Sequence, residues 1–325
     1  MSEFCIGIDL GGTYIKFALM DADHRVTETV QSPTPAEGAD AVVEQMVAGA
    51  KQLMAENDLA REEVRGVGIG SPGPLDLDNG IVIGMPNIRG MSNLPLRDRV
   101  SAGLGGVPAI LENDANAAAY GEHLCGAGAG RGDMVMLTLG TGVGSGIILD
   151  GKVLHGTHGI GAEFGHMIVE PAGEKCGCGQ RGCLERYCSA TYIAELARRL
   201  IEQEGRDSSL KELLAANGGI NAKDINEARA AGDELAAYVW DNGAYYIALA
   251  CVNICRIFDP DEIVLAGGMV NAGDDLMKPL TEHFRRLHWT LHPPRTKIAI
   301  ATLGSDAGVI GAAGVAWQAF GESGA

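Results

Sequence analysis

One short pattern occurs twice in the chain. Residues 6–21 read IGIDLGGTYIKFALMD, and residues 135–150 read VMLTLGTGVGSGIILD. Each copy has an apolar strand, a polar residue, a glycine-containing turn, and a second apolar strand ending in Asp. Twelve residues separate Asp9 from Asp21, and twelve separate Thr138 from Asp150; Gly11 and Gly140 fall in register. Each copy reads as a β-hairpin whose tight turn calls for residues that tolerate positive φ. Two such hairpins, about 130 residues apart, predict two lobes built on one plan. Turns of this kind expose backbone N–H groups without Cβ atoms in the way, which suits phosphate. Thr13, Thr138 and Thr141 add hydroxyls. Neither turn is a P-loop, and the glycine runs at 126–132 and 140–146 lack the spacing of a dinucleotide fingerprint. One glycine-rich hairpin would be an ordinary turn. Two copies with Asp and Thr at the turn point to a nucleotide held between lobes.

The second constraint is a cluster of metal-ligand types. His166 precedes Cys176, Cys178 and Cys183, with glycines at 177, 179 and 182. One imidazole and three thiols at this spacing can close around a tetrahedral zinc. Because protein fills all four positions, such a zinc is structural, with no open site for an activated water. Glu163 and Glu185 flank the ligands, so a metal here would also fix two carboxylates. The other cysteines do not form a disulfide framework in a chain of this kind. Cys251 and Cys255, four apart in an apolar helix, read as small core residues.

The chain has 325 residues, 46% hydrophobic and 21% charged, enough for a large core. Its net charge of −17 disfavours nucleic acid as a partner. Arg198-Arg199 and Arg285-Arg286 are the tight basic pairs, and both read as solvated. No signal peptide or membrane span is visible, so a cytoplasmic protein is expected. Periodicity predicts a strand at 25–31, a helix at 38–57, a strand at 64–70 ending in Ser71-Pro72-Gly73-Pro74, and a turn at Asn79-Gly80 before 81–83. A short helix from Leu96 follows. Residues 109–112 read as a strand ending at Asn113-Asp114, where an Ala-rich helix begins. Asp114 there is either an N-cap or a ligand group at a strand's C-terminal end. Helices follow at 190–204, 223–231 and 233–257, strands at 262–266 and 298–301, and a small-residue helix at 306–320. Residues 205–209 and 216–222 look like linkers. This strand–helix rhythm predicts α/β lobes. The expected division is a small lobe over 1–118, with the C-terminal helix packed back on it, and a large lobe over 119–305 carrying the loop 163–185.

These motifs together resemble the ROK family of bacterial sugar kinases, within the actin-like ATPase superfamily. EFGHM (163–167) and CGCGQRGCLE (176–185) carry most of the resemblance. DLGGTYIK (9–16), GSPGP (70–74), ENDANAAAYGE (112–122), LGTGVGSG (139–146) and AGG (266–268) extend it over nearly the whole chain. The resemblance implies a two-lobed α/β fold of the actin-like, ribonuclease H-like type. It also implies transfer of the γ-phosphate of ATP to a hexose, glucose in this case, at the 6-hydroxyl.

By the same resemblance, Asp114 is the base that takes the hydroxyl proton, and Asn113, Glu163, His166 and Glu185 bind the sugar. Ser71, Gly73 and Asn87 line the sugar pocket. Gly11, Gly12, Thr13 and Lys16 form the first ATP signature, Thr141, Gly142 and Gly144 the second. Gly267 and Gly268 run along the adenosine, and Asp9 holds Mg²⁺ through water. His166 serves twice, one nitrogen on zinc and one toward the sugar. Lobe closure on the sugar and a homodimer are further expectations. N-acetylglucosamine, N-acetylmannosamine, fructose and allose are the alternative substrates. Repressors of the same family carry a helix-turn-helix domain ahead of the first glycine turn. With Asp9 so near the start, that reading is disfavoured, leaving a non-catalytic sugar sensor as the remaining alternative.

Overall fold

The computed structural model describes residues 3–85, 88–289 and 291–321. In chain order the strands and helices are β1 (Phe4–Leu10), β2 (Tyr14–Asp21), β3 (Val26–Pro33), α1 (Ala39–Glu56), β4 (Val64–Ser71), β5 (Leu75–Asp76), β6 (Ile81–Gly84), β7 (Ser92–Leu94), α2 (Leu96–Gly103), β8 (Ala109–Asn113) and α3 (Asp114–Cys125). Then come β9 (Met134–Leu139), β10 (Val143–Leu149), β11 (Lys152–Val153), α4 (Glu185–Cys188), α5 (Ala190–Glu202), α6 (Leu210–Asn217), α7 (Ala222–Ala230) and α8 (Glu234–Ile257). The chain closes with β12 (Glu262–Ala266), α9 (Asp274–Leu287), β13 (Lys297–Ile300) and α10 (Ala307–Phe320). It divides into two compact units. The first comprises Met1–Gly132, Gly146–Ala162 and Ala301–Ala325, the second Asp133–Ser145 and Glu163–Ile300.

The first sheet has the order β3-β2-β1-β4-β8 and the second β11-β10-β9-β12-β13. In the first, β1 pairs antiparallel with β2, while β1 with β4 and β4 with β8 are parallel. In the second, β9 with β12 and β12 with β13 are parallel, and β10 with β11 is antiparallel. The two sheets therefore follow one plan, as the repeated hairpin predicts. In each copy the first strand ends just before the first glycine, and three residues span the turn.

Alternation along the strands decides what covers the first sheet. Ile6, Ile8, Leu10 and Phe17 pack with Val42, Val43, Met46 and Leu53 of α1. Cys5, Ala18 and Met20 have the opposite parity and pack with Val309, Ala313 and Trp317 of α10. Small residues let α10 approach closely. A Cβ on Gly68 would lie 1.8 Å from the Ala312 carbonyl oxygen, and one on Gly311 would lie 1.6 Å from that of Ala117. The Glu122 carboxylate is fully buried and accepts hydrogen bonds from the backbone N–H groups of Ala127, Thr302 and Leu303. It thereby fixes the end of α3 against the segment leading into α10.

Helices α6 and α9 were not legible in the sequence. In α9 the buried residues Leu276, Leu280, His283 and Phe284 recur at helical spacing, but six charged residues and Pro279 hide the stripe. In α6 Leu210 alone is buried, so there is almost no apolar face to read. That helix shortens the linker expected at 216–222; residues 205–209 stay irregular. Among the described residues, no helix is long and apolar enough to cross a membrane.

Candidate functional site

In the first unit the ends of β1, β4 and β8 carry most of the expected groups. Asp9 lies opposite Lys16 on β2 and beside Gly70 on β4, while Ser71 pairs with Asn113 across β4 and β8. Asp9 also meets the first turn of α10, since a Cβ on Gly308 would lie 2.7 Å from its Oδ2. Burial, and next the charge of Asp114, push the Asp9 carboxyl up to about 6. Burial likewise raises Asp114 above the usual carboxylate range, opposed by the bond its Oδ1 accepts from Ala115 N at 2.8 Å.

Asp114 is not the N-cap of α3. Asn113 is, its Oδ1 accepting from Ala115 N at 2.9 Å and Asn116 N at 3.2 Å. Local sequence could not separate the two, because both residue types cap well. With its oxygen committed to the helix, Asn113 retains only its amide N–H groups for a ligand. The Lys16 ammonium is bonded to the Ser305 carbonyl and to Asp306 Oδ1 at 2.7 Å, a tether that the sequence did not suggest. Ser71 is fully buried and donates to Pro72 O; Gly73, with φ of 97°, sits on the Gly84 carbonyl. Asn87 lies outside the described residues.

The expectation that the glycine turns need positive φ fails. Neither Gly11 and Gly12 nor Gly140, Gly142 and Gly144 adopt it. The absence of a Cβ matters at Gly11 and Gly142 for a different reason. A Cβ on Gly11 would lie 2.7 Å from the Tyr14 carbonyl oxygen, and one on Gly142 would lie 2.3 Å from Glu185 Oε2. Gly12 and Thr13 are exposed at the tip, and Gly12 and Gly140 face open space.

In the second unit the Gly140–Gly142 turn is built onto the metal-ligand loop. Val143 N donates to Glu185 Oε2 at 3.0 Å, Gly144 N to Thr138 Oγ1 at 3.1 Å, and Ala190 N to Gly140 O at 2.9 Å. Phe164 N donates to Ser145 Oγ at 2.9 Å, and Gly165 is pressed so close to the Val143 carbonyl that a Cβ there would lie 2.0 Å away. These bonds seat both halves of the expected sugar set on β10. Glu163 precedes the 3-10 turn Phe164–His166 and is exposed; Glu185 opens α4 and is half-buried.

His166, Cys176, Cys178 and Cys183 offer ligand atoms that all lie within 4.8 Å of one another. Nδ1 of His166 is 3.7 Å from Cys176 Sγ, and Cys178 Sγ is 3.6 Å from Cys183 Sγ. Antiparallel bridges Ile168–Cys183 and Lys175–Arg181 form the small knot that gathers them. The donor set is that of a closed zinc site, one imidazole nitrogen with three sulfurs and, among the described residues, no fifth group. Gly267 has φ of 89° and lies against the end of β9, a Cβ there falling 2.5 Å from the Leu139 oxygen. A cavity of about 690 Å³ in this unit is lined by Thr141, Gly268, Asn226, Lys223, Glu227 and Trp240. Its α7 wall carried no recognisable motif in the sequence.

The sequence pattern of the ROK family matches residues 5–319. A glucokinase of Halalkalibacterium halodurans is 38% identical over 308 residues, covering 94% of this chain and 92% of the relative. Among solved structures, a ROK hexokinase from Thermus thermophilus shares 33% identity with a TM-score of 0.85, covering 98% of this chain and 99% of that one. A ROK family glucokinase from Streptomyces griseus in complex with glucose and AMPPNP shares 35% identity with a TM-score of 0.74, covering 97% and 99%. Two α/β sheets of one plan with a Cys/His loop are thus the actin-like ATPase fold of these neighbours, and the chain belongs to the ROK family.

Proposed function

We propose that the protein is an ATP-dependent hexokinase that transfers the γ-phosphate of ATP to the 6-hydroxyl of glucose. The observation that carries this reading is Asp114, a half-buried carboxylate with a raised pKa at the first residue of α3, beside the amide of Asn113 and within the field of Asp9. An alcohol attacking phosphorus needs a base that orients the hydroxyl and accepts its proton late in a loose transition state. The sugar O6 forms the new bond to the γ-phosphorus, ADP leaves, and the proton passes to Asp114. The glucokinase relatives support glucose as the acceptor.

By the family pattern the sugar ligands are Glu163, His166, Glu185 and the Asn113 amide, together with Ser71, Gly73 and Asn87. Glu185 has one oxygen on Val143 N and so offers Oε1 to a hydroxyl. With Nδ1 turned to the thiols, His166 offers Nε2. The exposed N–H groups of Gly11, Gly12 and Thr13, with Lys16, and those of Thr141, Gly142 and Gly144 suit the phosphates. The cavity lined by Thr141 and Gly268 is of a size for adenosine, with Gly267 closing the turn beneath it.

Zinc fits the four ligand atoms and would stabilise the knot that carries Glu185. Asp9 suits Mg²⁺, because a buried carboxylate near a second one is stabilised by a cation. Mg²⁺ supplies charge neutralisation at the phosphates. A coupled assay with glucose, N-acetylglucosamine, N-acetylmannosamine, fructose and allose tests the reading: glucose gives the highest kcat/KM, and Asp114→Asn abolishes turnover while glucose affinity stays within about threefold. Turnover near wild type in Asp114→Asn would remove that residue as the base. Tight sugar binding without turnover in the wild type would make the protein a sensor.

A further inference from the structure

Glu112 is 1% exposed and is the next-to-last residue of β8, before Asn113. A buried carboxylate is unfavourable unless its oxygens are bonded. Oε1 accepts from Asn113 N at 2.8 Å and from Asn116 Nδ2 at 3.0 Å. Oε2 lies 2.7 Å from Nε2 of His155, which must donate because the carboxylate only accepts. One oxygen thus holds the junction that presents Asn113 and Asp114, and the other holds the segment after β11. That segment is closed on itself, Gly161 N donating to His155 O at 2.9 Å, and it runs in sequence directly into Glu163. His155 is therefore its anchor by both ring and carbonyl.

We infer that His155 and Glu112 are a positioning pair for the phosphoryl transfer, setting the β8–α3 junction with Asp114 and the segment 155–161 in one arrangement. The inference rests on the kinase reading above. Neither residue touches the sugar in it; they act through Asn113, Asp114 and the chain leading to Glu163. The imidazolium form makes the stronger bond. The Glu112 bond raises the His155 pKa, burial opposes it, and the charges of Glu112 and Asp78 add to the rise. Among the described residues, Asp76 and His158 are the other titratable groups that line the cavity of about 700 Å³ shared with His155. Protonated His155 holds the arrangement at pH below the ordinary imidazole value, and the hold weakens as pH rises through its raised pKa.

The test compares wild type, His155→Ala and His155→Gln from pH 6 to 9 in full steady-state kinetics, together with hydrogen exchange of the ligand-free proteins. Losing one charge-assisted bond predicts that His155→Ala lowers kcat/KM for glucose by about tenfold with KM for ATP within about twofold. It also predicts faster exchange at 113–118 and 155–161. The Gln amide can donate to Glu112 without titrating, so His155→Gln recovers most of the activity and loses the alkaline decline seen in wild type. His155→Ala kinetics that parallel wild type at every pH overturn the inference, as does an unchanged alkaline decline in His155→Gln. Should His155→Ala fail to fold, the His155→Gln profile decides alone. Should the wild type phosphorylate no sugar, the kinase reading falls, and the exchange at 113–118 and 155–161 still reads the pair.

Discussion

Gly142→Ala separates two jobs that one turn performs. The added Cβ would lie 2.3 Å from Glu185 Oε2 and 3.3 Å from Glu185 Cδ, where ordinary contact begins near 3.4 Å. Gly142 does not have positive φ, so the substitution brings no backbone strain. The carboxylate must therefore retreat by about 1 Å, which breaks its bond from Val143 N. Since the end of a side chain moves rather than backbone, the fold loses one partly exposed charged bond, about 1 kcal/mol, and regains some of it from the lower entropy of unfolded Ala. Melting shifts by only a few degrees. Function responds more strongly, because a misplacement of about 1 Å in a positioning group can reduce turnover by about 100-fold. The expected result is a fall of 10- to 100-fold, as an order of magnitude, in kcat/KM for glucose, and weaker glucose binding by calorimetry without nucleotide. Gly140→Ala is the control. Its Cβ meets nothing within 4 Å, so its effect falls on KM for ATP and spares glucose binding. Unchanged glucose affinity in Gly142→Ala, or equal sugar defects in both variants, would refute the reasoning that Glu185 is seated on the turn.

Asp9→Asn is expected to abolish most turnover yet stabilise the protein at alkaline pH. The folded pKa of about 6 lies above the ordinary aspartate value of 3.8, so the stability tied to the bound proton is present below that lower value and lost as pH rises through 6. Thermal melts should show the variant more stable by on the order of 2 kcal/mol at pH 8, the gap closing toward pH 4; a gap that does not change with pH would sink the assignment. In wild type, kcat should decline on the acid side as Asp114 takes a proton at its raised pKa, and rapid-mix pH jumps with unchanged circular dichroism would distinguish this from unfolding. Chelation of zinc should weaken glucose binding more than ATP binding, measured by titration with each ligand separately; equal losses count against a role in holding Glu185. Glu122→Ala strands the N–H groups of Ala127, Thr302 and Leu303 and should destabilise the fold by about 3 kcal/mol in denaturant melts, with a loss under about 1 kcal/mol contradicting the anchoring role.

What the sequence revealed and what it hid follow from the range of the interactions. The repeated hairpin is written in contiguous residues, and so is the 166–183 ligand set, so both were legible. Asn113 and Asp114 are both good caps, and only the backbone geometry of α3 decides that Asn113 takes that place. Contacts between residues far apart in sequence left no local mark. Glu112 meets His155 across 43 positions and Lys16 meets Asp306 across 290. At the turn glycines the missing Cβ, rather than positive φ, is what the structure uses. A sequence shows that a Cβ is missing, yet whether φ or a neighbour demands this is a matter of packing, and at Gly142 the neighbour is Glu185.

The acids of this chain, with its net charge of −17, also divide by how completely they are bonded. Glu112 and Glu122 are nearly inaccessible, and both oxygens of each accept from backbone or side-chain donors. Both oxygens of each are tied to the surrounding chain, so these carboxylates are held in place as parts of the frame. Asp9 accepts no hydrogen bond among the described residues, while Asp114 is engaged by the Ala115 N–H and by donors at its own junction, and these two have raised pKa values because burial prevails. Burial without full bonding is unfavourable for a carboxylate and persists where a cation or a proton in transit supplies the missing partner. The acids bonded at both oxygens hold the frame, one toward each end of α3, and the less bonded ones sit at the strand ends that this frame aligns.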